Sequence, residues 1–524
     1  MSVRNGIVLL LALSTLTLLV GCGSSSPKAN PVGFSKSSLN GTYVFSSSGV
    51  DFNTGFLAVA GALVANGSGA ITGGTMDVVG VDVTPPVPVA QAITGSYSVS
   101  PDGRGQATLN SSAGSITLDF VLTSSSHGLV TEFDTIGTGS GTIDLQTAVT
   151  SLSQLQGPYA FSFAGVDSGL INPFATAGAF TFDSAGNITA GSGVDDFNDA
   201  GLVYPNQALS SVSPATLGSG TGPETITLST TFGSLTFDFY PVDATHLKFI
   251  ETDNTEYLAG DAFTQTGASI PTGPMVFTMA GGTQTTGPIA VGGLMTSDGT
   301  GNFTGGLEDV NDNGVVSTAQ VAFTGTPVLP PGPVGGRLLV NLSGFVPATQ
   351  WVIYPSSGGL LMLETDATTV TLGAAFAQTS QTLAAVPQNF GLDLSAINIP
   401  GGNFAAPFEE DDIAQFLTTS TTFSGAVDIN DETSLAFDQS FSGNYTAPDS
   451  TGRGTATTTE HGNTFVSYTF YVVNNSTILL LETDTNQIGL GTFQAQTTPA
   501  AAAAQPAISM VRPVFRTHGA MRRK

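Results

Sequence analysis

Four times along this chain a glutamate and an aspartate stand two residues apart behind an apolar run: Glu132 and Asp134, Glu251 and Asp253, Glu364 and Asp366, Glu482 and Asp484. Residues i and i+2 of a strand share a face, so each pair sets two carboxylates side by side. Unrelieved, they repel, and a Ca²⁺ ion, which takes oxygen ligands, would relieve them. The structural alternative is that the Glu closes a strand while the Asp caps the following hairpin by accepting backbone N–H groups. Recurrence in every copy favours that alternative, because what folding requires is required in each.

A second acidic pattern reads Asp196-Phe197-Asn198-Asp199-Ala200-Gly201, Asp309-Val310-Asn311-Asp312-Asn313-Gly314 and Asp428-Ile429-Asn430-Asp431-Glu432. The middle copy resembles the first half of an EF-hand-type calcium loop, with oxygens on Asp309, Asn311 and Asn313 followed by Gly314. It departs from that loop at Gln320, where a bidentate Glu belongs, and the first copy offers only Asp77-Val78-Val79. Calcium at Asp309, Asn311 and Asn313 is one expectation; ordinary hairpin chemistry is the other. The single tryptophan, Trp351, counts back from its Glu-x-Asp pair to the position of Asp119, Asp238 and Thr469. It is therefore expected to face outward, either to contact a sugar or protein ligand or to pack between repeats.

Signs of catalysis are sparse. His127, His246, His461 and His518 form no H-x-x-x-H pair, and no G-x-S-x-G elbow is present. Paired carboxylates suit glycoside hydrolysis, yet four near-equivalent active sites in one chain are not expected. No catalytic residue is assigned.

These motifs are placed by a repeat of about 116 residues. Gly41, Gly157 and Gly273 open successive copies at equal spacing, and the same step lands on Asn389 in the fourth. Each Glu of the acidic pairs precedes a glutamine by fourteen residues: Gln146, Gln265, Gln378 and Gln496. A constant interval in four copies marks a true internal repeat. In the first copy, alternation and turn residues predict strands near 42–49, 56–65, 69–79, 92–100, 104–110, 115–123, 128–134 and 139–146. Eight short antiparallel strands in sequence predict an all-β fold of four tandem up-and-down barrels, since closure removes exposed edges. A β-sandwich and propeller-like blades are the alternatives. The expected units are 39–150, 151–268, 269–382 and 383–496.

The chain has 524 residues, with 12 basic against 39 acidic side chains and a formal net charge of −27. Such a surface repels nucleic acid. Between residues 39 and 496 the only basic side chains are Arg104, Lys248, Arg337 and Arg453. Most carboxylates of the body therefore lack a cationic partner, and are expected to face water or to hold a cation from solution. A lone cysteine, Cys22, excludes an intrachain disulfide.

Residues 1–21 combine Arg4 with an apolar run from Ile7 to Val20, the form of a secretory signal. Leu19-Val20-Gly21-Cys22 resembles the lipobox of bacterial lipoproteins. That resemblance covers the first 22 residues and implies cleavage before Cys22 and acylation of its thiol. Two or three acyl chains make such an anchor effectively permanent. Residues 22–38 read as a Gly/Ser/Pro tether and 497–524 as a disordered basic tail. Gly23 after the cysteine resembles the pattern sent to an outer membrane. The whole resembles bacterial envelope lipoproteins built from tandem β units. The expected role is binding, adhesion or scaffolding at the cell surface, with a glycan or protein as ligand. A polysaccharide-acting hydrolase and a calcium-binding surface protein are the alternatives.

Overall fold

The structure is a computed structural model that describes residues 30–497, except 52–54, 82–89, 168–171, 219, 254, 266–269, 284–286, 329–333, 368, 400–407, 433 and 461–463. Cys22, the export signal, residues 22–29 of the tether, His461, His518 and residues 498–524 of the tail lie outside the described residues.

The first repeat forms eight principal strands: Asn40–Asp51, Phe56–Asn66, Ala70–Gly80, Thr94–Val99, Arg104–Asn110, Ser115–Leu122, His127–Phe133 and Gly137–Leu145. Each pairs antiparallel with the next, and the first pairs with the last from Tyr43↔Leu145 to Asp51↔Gly137, which closes the sheet. The other three repeats close in the same way. The molecule is all-β, four eight-stranded antiparallel barrels in tandem, as the alternation predicts. Two-residue strands, Gln91–Ala92 and Val315–Val316, are added beside the third strand of the first and third barrels.

Each barrel encloses its own apolar core. The opening glycines fit their backbone: Gly41, Gly157 and Gly273 have φ of 131°, 146° and 112°, which L side chains rarely adopt.

Trp351 corrects the sequence reading. It is fully buried inside the third barrel, edge-on to Phe277, Phe323 and Phe345 at ring separations of 5.8, 5.9 and 4.5 Å. Its partner across the ladder is Glu364, just as Leu118 faces Glu132, Phe237 faces Glu251 and Tyr468 faces Glu482. The hairpins of the second and fourth barrels each carry a bulge, before Asp243 and Asn474, whereas Ser356↔Gly359 closes the third without one. Counting back along the chain therefore slips by one residue, and a slip of one turns a side chain to the opposite face.

The barrels form a ring. The opening strands of each pack against the closing strands of the next, through the apolar clusters containing Ala60 and Tyr240, Ala177 and Tyr354, and Ala290 and Tyr471. The fourth barrel then packs back on the first, with Ile413 against Val121 and Leu129.

Candidate functional site

Both acidic motifs lie at the seams of this ring, where they meet each other. In the third strand of the second barrel, Gly193–Asp199, alternate residues point to opposite faces. Asp195, Phe197 and Asp199 line the barrel interior, while Asp196 and Asn198 reach the third barrel. Arg337 clasps Asp196 with Nε–Oδ2 2.6 Å and Nη2–Oδ1 2.5 Å, and the Tyr354 hydroxyl donates to the same carboxylate. Asn198 donates from Nδ2 to the carbonyls of Glu364, Asp366 and Thr369, at 3.4, 3.3 and 2.8 Å.

The next seam repeats the arrangement. Arg453 clasps Asp309 at 2.8 and 2.7 Å, Tyr471 donates to it at 2.6 Å, and Asn311 donates to the carbonyls of Glu482, Asp484 and Gln487. The closing seam keeps the asparagine, with Asn430 on the carbonyls of Glu132 and Gly137, both at 2.9 Å. Arg104 there bridges Asp428 at 3.2 Å and Asp438 at 2.7 Å. Between the first and second barrels Val79 stands in place of the asparagine, and Tyr240 donates to Asp77 at 2.6 Å. The cation of that seam is Lys248, buried 3.4 Å from Asp144 and 3.8 Å from Asp261, each of which is also bonded to a histidine, His127 or His246. Burial alone would raise Asp144; Lys248 and His127 outweigh it and hold the carboxyl below its ordinary range. The four basic side chains of the body thus serve one seam each.

The conserved interval to glutamine has the same cause. Gln146 donates from Nε2 to Pro241 O at 2.9 Å, Gln265 to Gly335 O at 2.6 Å, Gln378 to Thr451 O at 2.8 Å and Gln496 to Asp102 O at 2.7 Å. Every stitch runs from one barrel to the next, and the last returns to the first. Only the fixed interval signalled it in the sequence.

Two expectations change. The calcium loop at 309–313 is instead strand and clamp: both oxygens of Asp309 are engaged by a guanidinium, and the Asn311 amide donates hydrogens. Asn313 lies in the turn beyond, at φ 49°. A cation already clasping Asp309 opposes a second one there. Among the described residues, no three His, Cys, Asp or Glu side chains gather as a metal-holding group. Nor do the acidic residues of the four pairs simply face water. Glu132, Glu251, Glu364 and Glu482 are buried, and Asp134, Asp253, Asp366 and Asp484 accept backbone N–H groups of Ile136, Thr255, Thr349 and Asn486. Burial and the neighbouring aspartate push Glu251 and Glu364 each up to about 9, and Glu132 well above its usual range. Burial thus favours the protonated form of Glu132, Glu251 and Glu364.

The second barrel offers room for a ligand of organic size. A cavity of about 200 Å³ opens inside it, walled by Phe174, Phe197, Tyr204 and Phe232 with Asp195 among them. Phe174 stacks on Phe197 at 5.5 Å, Phe197 on Tyr204 at 4.7 Å, and Tyr204 meets Phe232 edge-on at 4.5 Å. Phe232 is 59% exposed at the hairpin tip. Asp195 accepts from the Thr176 hydroxyl, and burial together with adjacent Asp196 pushes it up to about 7. Sequence reasoning missed this site; the signal was the pair of aromatic residues at 197 and 204.

No family model matches the chain, and no curated protein matches it. Among solved structures, transferrin binding protein B of Haemophilus parasuis Hp5, a Tyr-167-Ala and Trp-176-Ala double mutant, aligns at 9% identity over 71% of this chain and 83% of its own, TM-score 0.20. The isotype 1 protein from serogroup B Neisseria meningitidis aligns at 12% identity over 71% and 83%, TM-score 0.20. Intact Ap-TbpB, with N and C lobes, aligns at 9% identity over 90% and 97%, TM-score 0.16. Likeness at these values says nothing of ligand or partner.

Replacing Arg337 by Met strands Asp196 without its cation and should cost about 3–5 kcal/mol in denaturant unfolding. Pairing it with Asp196→Asn should recover most of that loss; a double variant as weak as the single one would contradict the clamp.

The protonated glutamates set a pH dependence of definite sign. Glu251 and Glu364 hold their protons to about 9, against 4.5 for an ordinary glutamate, so their contribution is full below about 4.5 and is lost as pH rises toward 9. The melting temperature should fall between pH 5 and pH 9. A steady rise across that interval would show that these groups ionise freely in the folded ring.

Proposed function

We propose that this protein is a lipid-anchored binding protein of the cell envelope, in which a closed ring of barrels presents the cavity of the second barrel to a small ligand. The cavity carries the reading. Ligand sites are concave and mostly apolar, with a few placed polar groups, and the aromatic walls around Asp195 have that composition. Fused modules closed into a ring hold the cup on a rigid frame, since each barrel is fixed by two neighbours. The units 39–150, 151–268, 269–382 and 383–496 are the modules of this frame. Binding rather than catalysis is favoured because the recurrent carboxylates are committed to hairpins and seams. The lipobox-like Leu19-Val20-Gly21-Cys22 supports a lipid anchor at Cys22, and Gly23 after it supports an outer-membrane address in the envelope.

Two measurements test this. Small aromatic compounds of neutral and charged kinds should include members that raise the melting temperature saturably, and Leu228→Trp, which fills the cavity, should abolish the rise. If none stabilises the native chain, the binding reading fails. Labelled palmitate should be incorporated by cells expressing the native chain and lost in Cys22→Ser; retention of label in that variant would remove Cys22 as the anchor.

A further inference from the structure

The four barrels serve as controls for one another. They share strands, seams and stitches, so whatever the fold requires recurs in them, and what departs in one barrel answers to something else. At the third-strand position of Phe197 the other copies have Val78, Val310 and Ile429. Across the ladder, Phe174 faces Asp199 where Leu57 faces Gly80 and Ile289 faces Asp312. Aliphatic side chains therefore suffice to fold this end of a barrel.

The buried acid shows the same contrast. Asp195 corresponds to Met76, Glu308 and Val427. In the third barrel Glu308 accepts the Val346 backbone N–H at 2.8 Å, and the bulky Phe345 and Trp351 occupy the core. In the second barrel the acid instead borders open space under aromatic faces, and Asp199 and Glu256 also line the cavity. No lysine, arginine or histidine is among the lining residues.

Aromatic faces carry negative potential and attract cations lying against them, more strongly when water is excluded. A carboxyl group at the same cavity adds an opposite charge when it ionises, and a cation beside it favours that ionised form. The volume decides between a bare ion and an organic one: a single water needs about 10–15 Å³, and the cavity of about 200 Å³ is more than ten times that. Building on the reading of the second barrel as a binding cup, we propose that its ligand is an organic cation, an ammonium group on an apolar body. The ammonium lies against Phe197 and Tyr204 toward Asp195, and the apolar body is covered by Phe174 and Phe232.

Calorimetric titration of the full chain with benzyltrimethylammonium and with neutral 2-phenylethanol tests this. The cation should bind at least about tenfold more tightly, a difference of about 1.4 kcal/mol. Asp195→Asn should remove most of that preference. Phe232→Ala, altered at an exposed tip and so expected to keep the fold, should weaken the cation severalfold, with circular dichroism confirming the sheet. Equal affinity for the two compounds, unmoved by Asp195→Asn, would overturn the cationic ligand and leave the binding cup intact. Binding of neither compound, with no stabilising compound found in the wider panel, would overturn both.

Discussion

Asp309 lies out of water with a guanidinium from the next barrel clasping both of its oxygens and a buried tyrosine hydroxyl donating beside it. The same exchange joins Asp196 to Arg337 and Tyr354. A buried carboxylate is costly unless paired or protonated, so these strands demand a neighbour that brings the matching charge. That demand fixes which face of each barrel meets the next and in what register. Asparagine adds directional bonds from the same strand to the neighbouring Glu-x-Asp hairpin, and glutamine adds a stitch further along. The outcome is one junction used around a ring.

Scarcity of basic residues follows from this economy of charge. Each seam takes one cation, and at Glu251, Glu308 and Glu364 burial raises the carboxyl well above its ordinary range and so favours the neutral form. The closing seam is the variant. Its apolar cluster is small, Val121, Leu129 and Ile413, and polar bonds take a larger share: Thr138 and Ser140 donate to Asp411 at 2.8 and 2.6 Å. A seam of hydrogen bonds depends more on alignment than an apolar one.

Much of the fold was legible because strand alternation and turn chemistry are local. The eight strands expected in the first repeat agree with the observed ones to within a few residues, and closure followed from their number and order. What joins the repeats was not legible. A fixed interval reveals that Gln146, Gln265, Gln378 and Gln496 share a role, but their carbonyl partners lie in another copy, where no interval measured within one copy can point. The same limit made Asp309, Asn311 and Asn313 resemble an ion loop: spacing gives the oxygens, not the arginine that claims them. Trp351 failed for a different reason. One missing bulge shifted the count by a residue, and a β-strand has no tolerance for that error.

Repetition also separates structure from use within one molecule. The Glu-x-Asp pairs drew attention because they recur, yet recurrence is what a folding device shows when each copy must fold and dock. A ligand site in one copy has no reason to recur, and is found where a copy departs from its siblings at no evident benefit to folding. Phe197 and Tyr204 around Asp195 are such a departure. They place aromatic faces and an acid at an open cavity, while the aliphatic counterparts Val310 and Ile429 lie in packed cores. If the cup binds as proposed, the chemistry specific to this chain resides where its periodicity breaks, and the periodic residues supply the frame that holds it.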